Sequence, residues 1–312
     1  MEKILILSLT EKDDYALAEW RKNGVDTDIT LKDCSKILRA IRRLWIKLHL
    51  PMEHIWYGNW KKTFMEYDCV LVHGTWMAEK VPYWMRKQTE KAGKKMKIIW
   101  WYWNKVVAQD NPDRVSENDC EKWSFDIEDC EKYGMHHNTQ YYFKSFQLPK
   151  EEVKYDIYFL GTDGGRKNKI GEWNTKFEDM GLHTDIHIIS DTITEDEPYK
   201  KLLQKNKLSY QENLQHIAQS KSVLEILREG QSGQTLRALE CLFYHKKLIT
   251  NDIRVQEYDY YHEDNMFIIG KDNLEDLPQF LEKPCAAISE ELIERYDCKQ
   301  WLERFNFNRK KR

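Results

Sequence analysis

Short apolar runs alternate with longer stretches in which apolar residues return every three or four positions, and this pattern continues along the whole chain. In the first half, the runs at 4–7, 69–72 and 97–101 read as strands, with helical periods near 14–22, 35–48 and 78–92. In the second half, strands are expected at 157–160, 186–189, 222–226, 247–250 and 266–269. Helices are expected at 167–180, 210–219, 235–243 and 274–281. Strands that alternate with helices in this way argue for an α/β protein with parallel sheets covered by helices. The polar segment Gln147-Leu-Pro-Lys-Glu-Glu-Val-Lys154 breaks the pattern, and a new strand begins at Tyr155. That break predicts two domains, 1–150 and 151–312.

Composition narrows the class. A chain of 312 residues, 41% hydrophobic and with a net charge of -3, can bury two ordinary cores. The near-neutral total argues against a protein that wraps nucleic acid, so no nucleic acid is expected as a partner. The seven cysteines include no C-x-x-C pair, which argues for reduced thiols rather than a disulfide framework or a zinc site. No apolar run approaches the ~20 residues that span a bilayer. The expected location is therefore cytoplasmic, at most peripheral to the inner face of the plasma membrane. Charge is uneven: 15 Lys/Arg against 5 Asp/Glu lie between 36 and 105. Such a bias marks a face that meets something anionic.

Two loops carry candidate chemistry. The first follows the strand ending at Leu227: Arg228-Glu-Gly-Gln-Ser-Gly-Gln-Thr235, which opens a helix containing Arg237 and Glu240. Unpaired N–H groups in the first helical turn favour anions. Gln231, Ser232, Gly233, Gln234 and Thr235 could present such donors to a diphosphate, with Glu240 accepting from ribose hydroxyls. An ordinary helix capped by Thr235 fits the same residues. The second loop is Leu160-Gly-Thr-Asp-Gly-Gly-Arg-Lys167. Here Gly161 and Gly165 allow close backbone approach, and Arg166 and Lys167 suit phosphate oxygens. Neither loop has the G-K-[ST] or G-x-G-x-x-G pattern.

The segment Tyr155-Asp-Ile-Tyr-Phe-Leu-Gly-Thr162, the helix and strand over 210–227, and Gly230-Gln-Ser-Gly-Gln-Thr-Leu-Arg-Ala-Leu-Glu240 together resemble a family of bacterial GT-B glycosyltransferases of capsular polysaccharide and lipopolysaccharide biosynthesis. Lys246-Lys-Leu-Ile-Thr-Asn251, Tyr258-Asp-Tyr-Tyr261 and Ser124-Phe-Asp-Ile-Glu-Asp-Cys130 extend the resemblance. It implies two Rossmann-like domains facing across a cleft, the second holding a nucleotide sugar, with UDP as the expected carrier. The first would hold a glycan or lipid-linked glycan acceptor, and no obligatory metal or other cofactor is implied. By the same resemblance Tyr210, Arg237 and Glu240 join the donor site, and Arg166 and Lys167 stabilise charge on the leaving nucleotide. The family's E-x7-E pattern would put an acid at 232, where Ser232 stands. An inactive nucleotide-sugar-binding scaffold and a GT-B nucleotide-sugar epimerase are the alternatives.

For the catalytic base, His73 at a strand end and Asp126 are the candidates. A loop histidine and a helix cap account for them equally. The segment 35–48 places apolar residues on one helical face and carries Arg39, Arg42, Arg43 and Lys47 besides Trp45. It reads either as an interfacial helix on an anionic membrane or as a core helix with a solvated basic face.

Overall fold

The computed structural model describes residues 2–9, 15–228 and 233–305. Chain contacts divide the protein into two units, residues 1–140 with 298–312, and residues 141–297. Each is an α/β unit built on a six-stranded parallel sheet, an architecture compatible with Rossmann-like folds.

The first unit contains β1 (Ile4–Ser8), β2 (Asp26–Ile29), β3 (Cys69–His73), β4 (Lys97–Tyr102), β5 (Glu121–Ser124) and β6 (His136–His137), in the order β2-β1-β3-β4-β5-β6. The inner strands are continuous apolar runs because both faces are covered. Val70, Val72, Ile98 and Trp100 enter one core, and Leu71, Ile99 and Trp101 are equally buried. Its helices include α1 (Tyr15–Lys22), α2 (Lys36–Lys47), α3 (Val81–Lys91) and α4 (Ile127–Tyr133).

The second unit contains β7 (Tyr155–Thr162), β8 (Thr184–Ile189), β9 (Leu203–Gln204), β10 (Ser220–Glu225), β11 (Lys247–Thr250) and β12 (Met266–Ile268). Their order is β12-β11-β10-β7-β8-β9. Counted within the unit, this is the 3-2-1-4-5-6 arrangement of doubly wound dinucleotide-binding sheets. Helices α6 (Tyr210–Ala218) and α7 (Leu236–Tyr244) pack on the face that carries Tyr158, Val223 and Leu248. Helices α5 (Lys167–Asp179) and α8 (Leu277–Glu282) cover the other face, against Ile157, Phe159 and Leu224. A short α9 (Glu290–Arg295) follows.

The division differs from a break at 147–154. Tyr142 and Phe146 pack into the second unit's core, and the Tyr142 N–H donates to the Tyr296 carbonyl (2.8 Å). The last helix, α10 (Cys298–Glu303), counts with the first unit. Its Trp301 is fully buried, edge-on to Trp101 (5.0 Å) and Phe305 (4.7 Å), and donates to the Thr139 carbonyl (2.6 Å). Aromatic burial on this scale outweighs sequence proximity. The tryptophans at 100 and 101 are thus core residues, whereas Trp103 is exposed.

Helix α2 does not pack its apolar stripe. Ile37 is 74% exposed, Leu44 57% and Leu48 58%, with Leu38 and Ile41 also exposed, while the buried members are Arg42 and Ile46. Arg42 therefore leaves the basic face: its guanidinium donates to the Lys32 carbonyl (2.5 Å), and burial lowers its pKa. Trp45 is half-buried, edge-on to Trp56, and bonded to the Pro51 carbonyl. Arg43 and Lys47 stay exposed and Arg39 partly so. Among the described residues no helix is long and apolar enough to cross a membrane, and all seven cysteines are free thiols.

Candidate functional site

In the second unit, β7 and β10 are paired neighbours, and the chain leaves their carboxyl ends in opposite directions across the sheet. Ligands of doubly wound sheets bind at such switch points. Three arginines converge there. Arg166 donates from Nε and Nη2 to the Thr162 carbonyl (3.3 Å each) and from Nη1 to the Ile226 carbonyl, so it bridges both strand ends. Its guanidinium also lies over the Phe159 ring. A Cβ at Gly161 would stand 2.8 Å from Arg166 Nη2, so glycine is what lets the guanidinium cross the strand. Arg228 donates to the Thr162 hydroxyl and packs on Gly164, where a Cβ would meet its Nε at 2.4 Å. Gly164 and Gly165 also hold positive φ (+53° and +83°), so that turn is closed to most side chains. Arg237 comes from α7 and donates to the Leu160 carbonyl (3.0 Å). Burial and the like charges of Arg228 and Arg237 pull the Arg166 pKa down to about 10. A cluster of repelling cations is relieved by a bound polyanion.

Glu240 bonds one of these arginines from within the unit. It is fully buried, and both carboxylate oxygens are engaged. One accepts from Tyr210 Oη (3.1 Å) and Asn213 Nδ2 (3.0 Å), and the other from Arg237 Nη1. Asn213 Oδ1 in turn accepts from Tyr158 Oη (3.0 Å) and Arg237 (3.1 Å). Tyr142 Oη bonds to Tyr210 Oη and to Tyr244 Oη (2.8 Å). Glu240 and Tyr210, both expected at the donor, are thus bonded to each other and to neighbouring side chains. Burial opposes the Arg237 charge, but Glu240 outweighs it and raises the Arg237 pKa. Glu240 is a positioning residue for Arg237.

At the start of α7, the Thr235 side chain caps Ala238 N (3.4 Å) and donates to Glu225 Oε1. Glu225 Oε2 accepts from the Thr250 hydroxyl (2.6 Å). The buried Glu225 thus ties together β10, β11 and the helix start, and burial raises its pKa. Gln234 is buried, with Nε2 on Tyr260 Oη (2.8 Å) and, among the described residues, no partner for Oε1. Gly233 has φ +85°. Gln231 and Ser232 lie outside the described residues. Lys167 is drawn away to Glu197 (2.7 Å) rather than toward the arginines. Sequence reasoning missed Arg228, Glu225 and Asn213. An acid inside the apolar run Val223-Leu-Glu-Ile-Leu227 was the available signal for the second.

In the first unit, His73 ends β3, stacks on Trp103 (5.2 Å) and has a buried Nε2. Asp126 is buried and caps α4 by accepting from Asp129 N (2.9 Å). A cavity of about 860 Å³ opens between α2 and the loops after β3 and β4. Arg43, Lys47, Glu79 and Arg114 are on its wall. Burial raises the Glu79 pKa, while Arg114 at 3.3 Å works against that shift.

Two outcomes follow from these bonds. Glu240→Ala leaves Arg237 facing a void and is expected to lose about 3–5 kcal/mol of stability in urea unfolding. A carboxylate used only for a ligand would leave stability unchanged. Glu225 has a raised folded pKa, so its contribution is complete below the unfolded value of about 4.3 and is lost as pH rises through the folded one. Glu225→Gln is therefore expected to gain stability relative to wild type between pH 4 and pH 7, read from urea midpoints at both values.

No protein-family model matches this chain, and no curated protein matches it either, so the likeness noted in its sequence stands on the quoted motifs alone.

Proposed function

We propose that the chain is a glycosyltransferase of the GT-B kind. In this reading the second unit binds the diphosphate of a nucleotide sugar, UDP-linked, against Arg166, Arg228 and Arg237. The first unit receives a glycan or lipid-linked glycan of a cell-surface polysaccharide or lipopolysaccharide precursor, and the products are UDP and the extended glycan. The observation that carries the reading is the convergence of three guanidinium groups on the switch point of a six-stranded parallel sheet. A diphosphate matches them because guanidinium forks pair with phosphate oxygens and hold charge that does not titrate away at neutral pH. As the glycosidic bond to the donor breaks, negative charge gathers on the departing diphosphate. Cations already fixed by Glu240, Thr162 and the Ile226 carbonyl stabilise that charge more than the ground state.

Glu79, at the cavity of the first unit, is the group we assign to deprotonate the acceptor hydroxyl; its raised pKa suits a proton acceptor. The exposed Ile37, Ile41 and Leu44, flanked by Arg39, Arg43 and Lys47, form the face we assign to an anionic cytoplasmic membrane surface. Each basic residue near such a surface contributes about 1 kcal/mol. A nucleotide-sugar-binding subunit without turnover is the second reading, favoured by the pairing of Lys167 with Glu197.

Calorimetric titration with UDP and with uridine, both in EDTA, tests the donor site. UDP is expected to bind far more tightly than uridine. Arg228→Ala and Arg166→Ala are each expected to weaken UDP about 10- to 100-fold while leaving uridine unchanged, the loss of a charge-assisted hydrogen bond. Equal UDP affinity in wild type and both variants removes the site. The Glu79→Gln variant is expected to keep wild-type UDP affinity and lose UDP release from the sugar donor; undiminished release removes the base assignment. For α2, sedimentation with phosphatidylserine vesicles is expected to capture the wild type and not an Ile41→Asp/Leu44→Asp variant. Capture by neutral vesicles to the same extent, or by neither, overturns the charged-surface reading.

A further inference from the structure

A second constellation in the 141–297 unit lies apart from the arginine cluster. Asp185 and His187 are two residues apart on β8, so their side chains share one face of the strand. His216 comes from α6, which packs over that face. One carboxylate oxygen of Asp185 stands 2.8 Å from His187 Nε2, and the other 2.6 Å from His216 Nδ1. The three donor atoms all lie within 4.8 Å of one another.

The surroundings fix how the imidazole of His187 presents itself. Its Nδ1 is 3.0 Å from Gln204 Oε1, and the Gln204 amide is oriented by Nε2 donating to the Asn206 carbonyl (3.0 Å). An amide oxygen only accepts, so Nδ1 carries the hydrogen. In a neutral ring the lone pair is then on Nε2 and points at the Asp185 carboxylate. Two electron pairs facing each other at 2.8 Å require something positive between them, either a proton or a metal ion. A ligating histidine whose other nitrogen donates to a fixed oxygen is the recurrent second-sphere arrangement of zinc sites. The His216 ring is held by stacking on Tyr158 (5.3 Å between centroids, 6° between planes). The side chains of Asp185, His187 and His216 are 11%, 22% and 25% exposed, so ion and water have access.

We propose that Asp185, His187 and His216 form a binding site for a divalent transition metal of the zinc class, with Gln204 orienting His187 and a water completing the coordination. Two imidazoles and one carboxylate suit zinc, and bonds of about 2.0–2.2 Å require only small ring and carboxylate rotations from the present separations. The site rests on a strand and a helix and is independent of the glycosyltransferase reading. Its role is to fasten β8, and through Gln204 β9, to α6. Tyr158 links that clasp to the arginine site, since its hydroxyl bonds Asn213, which holds Arg237.

The test is zinc binding by the full chain after EDTA treatment and desalting, read by competition with a chromogenic chelator. One zinc per chain is expected, with a rise in melting temperature on addition. Substituting cobalt(II) should give visible bands of a low-coordinate site without thiolate charge transfer, which separates this site from the free cysteines. His216→Ala and Asp185→Asn should remove the tight site. Gln204→Ala, which touches no ligand directly involved in a metal bond other than His187, should weaken zinc about 10- to 100-fold. Should a variant fail to fold, the wild-type stoichiometry and the cobalt spectrum still decide. Absence of tight wild-type binding, a thiolate spectrum, or binding unchanged in His216→Ala and Gln204→Ala overturns the proposal and leaves a proton-held clasp.

Discussion

The ion pair between Glu240 and Arg237 is the constraint on which the second unit's site depends. A guanidinium at the carboxyl edge of a sheet would ordinarily turn to solvent. Here a fully buried carboxylate holds it from below, and Asn213 and the Leu160 carbonyl fix its remaining directions. A buried charge pair with every oxygen satisfied gains specificity of position more than net stability. The same network draws in α6 through Tyr210 and Asn213, and β7 through Tyr158. The placement of Arg237 is thereby tied to the packing of two helices on one strand. Arg166 and Arg228 complete the cluster by a different device, in which glycine at 161 and 164 leaves room for guanidinium groups against the backbone.

Glu225 plays the matching part on the other side of the switch point. It bonds the Thr235 hydroxyl that caps α7 and the Thr250 hydroxyl at the end of β11. Both acids therefore face inward, and the cations face the edge of the sheet. This separation brings three guanidinium groups together at the strand ends in a protein whose net charge is -3. Composition alone carries no trace of it, because the field at a site depends on which side of the backbone each charge takes.

Most inner strands of both sheets were legible because burial on two faces leaves a short apolar run. Of the outer strands, β12 was read at 266–269, and β2, β6 and β9 were not. β2 is Asp26-Thr-Asp-Ile29, polar on a partly exposed edge; β5, Glu121-Lys-Trp-Ser124, is an inner strand in which the buried Lys122 and Ser124 interrupt the apolar run; and β6 and β9 span two residues apiece. The return of α10 to the first unit was invisible for another reason. What holds it is Trp301 against Trp20 and Trp101, residues some two hundred to nearly three hundred positions away. The pattern around Glu240 gave a helix over 235–243, and α7 forms there, but it did not fix the direction of the Glu240 side chain. One and a half turns into a helix that packs on a sheet, a carboxylate can point to the ligand or into the core, and only the partners on α6 decide.

Helix α2 shows the same limit from the opposite side. Its apolar residues recur on one face, and such a stripe normally marks the side that packs against the protein. The protein instead packs against Arg42 and Ile46, leaving Ile37, Ile41 and Leu44 uncovered. Burial of an arginine is tolerated because its stem is apolar and its head reaches the Lys32 carbonyl. Periodicity reports that a helix has two faces, and not which of them the rest of the chain will meet. When the uncovered face is the apolar one and every charge on the helix is positive, the pattern describes a surface complementary to something other than water.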